Sequence, residues 1–482
     1  MSGGRELGET ARLESVFSRG PIDATLNRAL RILLVCAAAW TLSAHGETVM
    51  AHPSRIEATD PVVARIMQGA PPPAGQSVML ANALVYPFNR WSFSNMRRLL
   101  PTLGVWRGGG VPSPLRLEPG RASELAALQF IASDGTRHAF SDLMSITDAD
   151  GLLVMHKGRI VFEQYLGALS PHAPHALMSI TKSFVGTLAA MLVDSGALKA
   201  DALVTHYIPE LVGTAYDRAT IRQLMDMTVA VRYSEDYSDP RADIWRYMRA
   251  AGFMPRSSDN AEPGNLYDFL KTLQADGEHG AAFSYKTVNA EVLAWVLKRA
   301  TGQSLGSLLS SKIWQPLGAQ EDAYFDVDSQ GSESGGGGMN ATLRDLARFG
   351  EAMRNNGRFN GRQVIPAAVV ADIRRGGDPA KFARAGHTAL DGWSYRDMWW
   401  VSGDKDGVFE ARGIFGQALY IDPKAEVTIV RLASGRAPAN DANDWVTLPA
   451  FRAVAHSLMT QPKPKRISDS VGSSGSQAIT DI

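Results

Sequence analysis

Apolar residues change their spacing several times along this chain, and each change marks an element. In "GLLVMHKGRIVFEQYLG" two apolar runs flank Lys157-Gly158. Two such runs around a short glycine-containing turn predict a β-hairpin. "SITKSFVGTLAAMLVDSG" follows, a long apolar stripe opened by Ser179, and predicts a buried helix. "TIRQLMDMTVAV" reads as a further helix, and "LYDFLKTLQ" as a helical piece within the polar stretch 233–280. "FSYKTVNAEVLAWVLKRATG" is a loop running into a helix closed by Gly302. After a glycine run at 335–338, Leu343, Leu346, Phe349 and Met353 recur on one helical face. "GQALYID" and "EVTIVRLAS" are strand-like, and a last helix runs to about Met459. A hairpin, a central helical stretch and returning strands predict an α+β fold: an antiparallel sheet with a helical insertion.

The two ends break these patterns. Residues 47–120, with "PPPAG" and "WRGGGVPSP", read as an irregular extension ahead of a domain spanning 121–462. Residues 463–482 have the composition of a disordered tail. Within residues 1–46, Arg28 and Arg31 precede an apolar stretch at 32–42 and then small residues Ser43 and Ala44. That stretch is too short to span a bilayer comfortably and suits a signal-peptide core, so export to the periplasm or medium is expected. The segment ahead of it is long for a signal. A buried or interfacial helix, an uncleaved tether, or a cytoplasmic protein are the alternatives. Membrane contact is expected only through residues 28–45.

Composition narrows the function. Lys+Arg and Asp+Glu balance at 49 each over 482 residues, which gives no footprint for nucleic acid. The single cysteine, Cys36, excludes an intrachain disulfide, a thiolate metal site and a cysteine dyad. No H-E-x-x-H pattern stands out, and neither metal nor cofactor is expected.

The chemistry-bearing spellings separate by context. "GQSLG" at Gly302–Gly306 spells a nucleophile elbow, but a helix precedes Ser304 where an elbow needs a strand. The glycine run lacks the following Lys-Ser/Thr of a phosphate loop. Ser258-Asp259-Asn260 lies in a polar stretch and reads as a solvated loop. S-x-x-K occurs twice. Ser402 and Lys405 fall in a polar loop that fixes neither side chain. Ser179 and Lys182 open a helix, where residues three apart share a face and a developing alkoxide is stabilised by the helix N-terminus. Burial would lower the lysine's pKa toward that of a base. The competing reading of Ser179 is a helix cap.

With its companions, the sequence resembles the serine hydrolases of the β-lactamase and penicillin-binding-protein fold. It is most similar to the 6-aminohexanoate-dimer hydrolase branch and its carboxylesterase-like relatives. The resemblance rests on "NRWSF", "LMSITKSFVGTLAAMLVDSGAL", "YIPEL", "SEDYSDP", "FSYKTVNAEVLAWVLKRATG", "TLRDLARFG" and "GIFGQALYIDP", in that order. It implies a sheet flanked by helices and a mainly helical subdomain, with the site between them. It further implies Ser179 as nucleophile, Lys182 and Tyr285 as proton-transfer groups, and an oxyanion hole from the backbone N–H groups of Ser179 and Ile414. Where the family has Asn two residues after the tyrosine, this chain has Thr287. Its Lys-Thr-Gly motif has no literal copy; Ala411-Arg412-Gly413 stands there, with Arg412 as a replacement charge and Gly413 keeping close backbone approach. Tyr237 matches a substrate-closing tyrosine. Met248 stands where the aminohexanoate branch holds a substrate amine with an acid, which favours a less cationic substrate. The resulting expectation is hydrolysis of a small-molecule ester or amide through an acyl-enzyme, with self-association left open. A β-lactamase or D-Ala-D-Ala peptidase, and an inactive binding protein on the same fold, are the alternatives.

Overall fold

The computed structural model describes residues 59–257 and 262–460. The signal-like segment, the C-terminal tail and Ser258-Asp259-Asn260 lie outside the described residues.

Eight strands build the main sheet: β1 (Arg116–Leu117), β2 (Ala149–His156), β3 (Arg159–Tyr165), β4 (Ser394–Arg396), β5 (Trp399–Val401), β6 (Phe409–Gly413), β7 (Gln417–Asp422) and β8 (Val427–Ala433). Their spatial order is β4-β5-β6-β7-β8-β2-β3-β1, antiparallel except where β1 meets β3. β2 and β3 form the expected hairpin, with Lys157 (φ 51°) and Gly158 (φ 76°) at the turn. Two adjacent positive φ values are what a tight two-residue hairpin turn of the right twist requires.

Residues 152–155 of β2 read as an unbroken apolar run because both faces of the sheet are covered. Successive side chains point to opposite faces. Leu153 and Met155 join one core with Phe184 and Leu188 of helix α1 (Ile180–Asp194), together with Leu346 and Phe349 of a later helix, α4 (Leu343–Arg354). Leu152 and Val154 join a second core with Val446, Phe451 and Val454 of the C-terminal helix α5 (Asp441–Thr460). Between α1 and α4 the chain makes the helical insertion, containing α2 (Asp243–Ala250) and α3 (Thr287–Thr301). α3 is nearly all buried and stops at Gly302, which takes the left-handed conformation (φ 67°). A second sheet aligns Thr102–Val105, Ala323–Asp326, Met339–Ala341 and His175–Ala176 in that order.

One expectation needs correction. The helix read over "TIRQLMDMTVAV" is only Ile221–Met225, started by a Thr220–Gln223 capping box. Met227 takes φ 53°, and Val231 then bridges to Ala275, so tertiary pairing claims the β-branched end of the run. The helical piece expected around "LYDFLKTLQ" is present as Leu266–Leu270.

Residues 59–120 send several side chains into the interior, although Val62, Val63, Trp106 and Val111 stay exposed. Phe93, Met96 and Val105 sit in the larger core. Arg90, 1% exposed, reaches Asp150 at 3.2 Å and Asp148 at 3.8 Å. The Asn89 amide donates to the carbonyls of Ser434 and Gly435 at 3.3 and 3.0 Å. The packing therefore has no break at residue 120. Arg90→Ala is expected to lower unfolding free energy by about 3–5 kcal/mol, because it strands buried carboxylates. A urea titration of both proteins checks this.

Candidate active site

Ser179 ends a sharp turn at the mouth of α1. Met178 before it takes φ 47°, and Ser179 itself is already helical at φ −70°, ψ −3°. The turn is pinned by the Leu177 N–H donating to Met339 O (2.9 Å) and by Thr181 Oγ1 accepting from the Met339 N–H (3.0 Å). The Ser179 side chain makes no cap hydrogen bond, which removes the capping interpretation. Its Oγ accepts instead from Lys182 Nζ at 2.7 Å.

Lys182 is 1% exposed. Its Nζ also donates to the Gly336 carbonyl at 2.5 Å. Burial among the apolar residues of α1 pushes the amine down to about 8, against the upward pull of Glu235 and Glu291. The ring of Tyr285 lies under Nζ at 5.1 Å. That ring stacks on Trp400 (5.3 Å) and meets Tyr395 edge-on (6.2 Å). Desolvation raises its phenol well above the ordinary tyrosine value, while a hydrogen bond with Ser179 and the charge of Arg412 pull the other way.

The Gly336 carbonyl is itself held. Glu291 on α3 receives the N–H of Gly336 (2.9 Å), the N–H of Gly335 (2.8 Å), Tyr247 OH (2.6 Å) and Ser334 Oγ (2.7 Å). Burial pushes this carboxyl up, while the four donors, with one obligatory N–H on each oxygen, favour the ionised form and pull it back. A Cβ on Gly336 would come within 2.6 Å of Thr287 Cγ2 and 2.7 Å of Glu291 Oε1. The glycine run thus brings backbone close enough to grip the lysine. Sequence reading set that run aside as a failed phosphate loop and passed over Glu291. The available signal was one acid in the apolar "NAEVLAWVL".

Ser179 lines a cleft together with Met178, Tyr237, Met248, Thr287 and Ile414. On its wall meet the chain segments around 178 and 414. A Cβ on Gly413 would fall 2.7 Å from Leu177 O and 3.0 Å from Ser179 N. Only glycine lets β6 approach the turn so closely, and that approach brings the Ser179 and Ile414 backbones together. Thr287 donates its N–H (2.7 Å) and hydroxyl (2.6 Å) to Glu235, so its hydroxyl is occupied by the protein. Tyr237 is half-buried, edge-on to Trp245 at 5.9 Å.

Arg412, expected to contact substrate, is not among the residues lining the cleft. Its guanidinium is bonded to Asp444 of α5 and lies 3.8 Å from Glu410. The reason is strand alternation. Ala411 and Gly413 face α1, so Arg412 between them faces α5. Ser304 caps the helix Leu305–Leu309, accepting from Ser307 N at 3.1 Å, and Ser402 donates to Val408 O at 3.0 Å. Neither is beside a base.

A nucleophile-ready serine on a lysine, in a cleft between a sheet and a helical subdomain, defines a serine hydrolase. The chain belongs to the β-lactamase family, whose model matches residues 137–451. It is 34% identical over 363 residues to the 6-aminohexanoate-dimer hydrolase of Paenarthrobacter ureafaciens, covering 74% of this chain and 88% of that enzyme. A solved Bacillus anthracis protein, provisionally named as such a hydrolase, superposes with a TM-score of 0.72 at 30% identity, over 81% of this chain and all of that one. Esterase EstB of Burkholderia gladioli is 26% identical over 194 residues, 38% of this chain and 44% of that enzyme.

A lysine acts as base only when neutral, so kcat/KM is expected to rise as pH increases through about 8, the value to which burial brings Lys182. Glu291→Gln removes a carboxylate that pulls this value up, and the inflection should move to lower pH. It also loosens the grip on Gly336, and kcat should fall roughly 10–100-fold, as ångström-scale misplacement does. A pH–rate profile of both proteins reads the two effects separately; an unmoved inflection would leave Glu291 a purely structural role.

Proposed function

We propose that this serine hydrolase cleaves small-molecule esters and amides through an acyl-enzyme on Ser179. The 2.7 Å contact between Lys182 Nζ and Ser179 Oγ carries the proposal. Neutral Lys182 takes the Ser179 proton as Oγ bonds to the substrate carbonyl carbon. The carbonyl's π electrons move onto its oxygen, where the N–H groups of Ser179 and Ile414 receive the negative charge. Collapse of this intermediate breaks the bond to the leaving group. Tyr285 gives that group its proton and is replenished from Lys182. Water then attacks the acyl carbon, its proton passing to the same pair, and the acid leaves with Ser179 restored.

The opposite pKa directions support this division of labour. Burial makes Lys182 a better base at neutral pH, and the raised phenol of Tyr285 keeps a proton available to give. Penicillin-type recognition lacks support, because Arg412, the candidate holder of a substrate carboxylate, is committed to Asp444. Met248 in the cleft wall supplies no charge for a substrate amine.

Ser179→Ala is expected to abolish hydrolysis of p-nitrophenyl acetate and butyrate and labelling by a fluorophosphonate, while circular dichroism stays unchanged. Activity surviving in this variant would overturn the nucleophile assignment, and an unlabelled wild type would favour a binding protein. Tyr285→Phe should lower kcat by about 10²–10⁴-fold, the range for loss of a proton-transfer group.

A further inference from the structure

The substrate cleft is walled mostly by apolar side chains, including Leu84, Met96, Ile244, Met248 and Phe253, and one carboxyl interrupts them. Asp326 ends the strand Ala323–Asp326, is 2% exposed and lines the same cleft as Ser179. Its Oδ2 receives the Asn340 amide at 3.1 Å. Its Oδ1 is buried and has no hydrogen-bond partner among the described residues. Leaving such an acceptor unpaired costs about 1–3 kcal/mol, and buried polar atoms in folded proteins are nearly always paired. Of the residues lining the cleft, Asp326 is the one whose side chain keeps a buried oxygen without a partner, and an oxygen so placed points to a group that arrives with the substrate.

We propose that Asp326 is a specificity residue that selects esters or amides whose chain ends in a hydroxyl group, bound to Oδ1. This rests on the hydrolase reading above and adds the substrate class. The choice of a hydroxyl follows from the carboxyl's two protonation states. Burial pushes Asp326 up to about 7, with the Asn340 amide and Arg97 pulling the other way, so both states are populated near neutrality. Ionised, Oδ1 accepts a hydrogen bond. Protonated, it carries the proton, because Oδ2 is already the acceptor for Asn340, and it then donates. A hydroxyl both donates and accepts, and is served in either state. An ammonium is served only by the ionised state and brings its own charge into an apolar cavity, which is unfavourable unless fully paired. A methyl group leaves Oδ1 unpaired.

The experiment compares kcat/KM for p-nitrophenyl 6-hydroxyhexanoate, heptanoate and 6-aminohexanoate. In parallel, 6-hydroxyhexyl acetate is compared with heptyl acetate by acid release, which covers a hydroxyl on the leaving-group side. The expected result is a preference of at least about tenfold for the hydroxylated member of one pair over its methyl counterpart and over the amine. Asp326→Leu, which replaces the carboxyl by a group of the same shape, should erase or invert that preference. If this variant does not fold, Asp326→Asn should reduce the same ratio, since its amide nitrogen has no lone pair to receive the hydroxyl proton. Equal turnover of hydroxyl and methyl substrates, a preference for the amine, or a preference that survives in the variants would each overturn the proposal while leaving the hydrolase reading intact. No turnover of any ester by the wild type would remove both.

Discussion

The structure is organised around one uncomfortable group, the Lys182 amine. It is taken out of water between the Ser179 hydroxyl and the Gly336 carbonyl, with carboxylates near but not in contact. Were it paired directly with an acid it would hold its proton and be useless as a base. Were it in water it would be protonated at neutral pH. The apolar residues of α1 supply the desolvation, and two neutral oxygens fix the position. Much else follows from keeping those oxygens still. Glu291 gathers two N–H donors from the glycine run and the Ser334 hydroxyl beside it, Tyr247 reaches in from α2, and Tyr285 is clamped by Trp400 and Tyr395.

The sheet gives this arrangement a rigid wall. Because helices cover both faces, β2 and β8 are buried along their whole length. The irregular N-terminal arm closes the remaining side through Arg90 and Asn89, and contributes Leu84 and Met96 to the cleft. It lines the cleft beside Ser179 despite its loop-like composition.

What was readable in the sequence depended on whether the determining contact was local. Ser179 and Lys182 are one helical turn apart, so their meeting follows from helix geometry alone. Lys157-Gly158 and Gly302 set their turns by their own φ preferences. Tyr285 and Ile414 were placed by resemblance, and their positions join the cleft or its edge. The misses were non-local. Arg412 needed its strand's phase relative to α5, which alternation supplies only once the facing helix is known. The role of Gly335–Gly338 depended on helices α1 and α3, whose packing no spacing within the loop reveals. Asp326 carries no local signal at all, because its significance lies in neighbours that leave one oxygen unmatched. The truncated helix after Thr220 shows the same limit, since a bridge to Ala275, far along the chain, ended it.

The approach of Gly413 to the Ser179 turn has a consequence for the chain while it is being made. The two backbone N–H groups that meet there are separated by most of the catalytic domain, and β8, between β7 and β2, joins the late strands to the early hairpin. Such long-range pairing forms late, after its loop-closure entropy is met. A nascent chain that has emerged only with Ser179 and Lys182 therefore lacks both the packing that takes the lysine out of water and the Ile414 backbone that meets the serine turn. The cleft's two walls, one built early in the chain and one built late, come together only when the last strands dock.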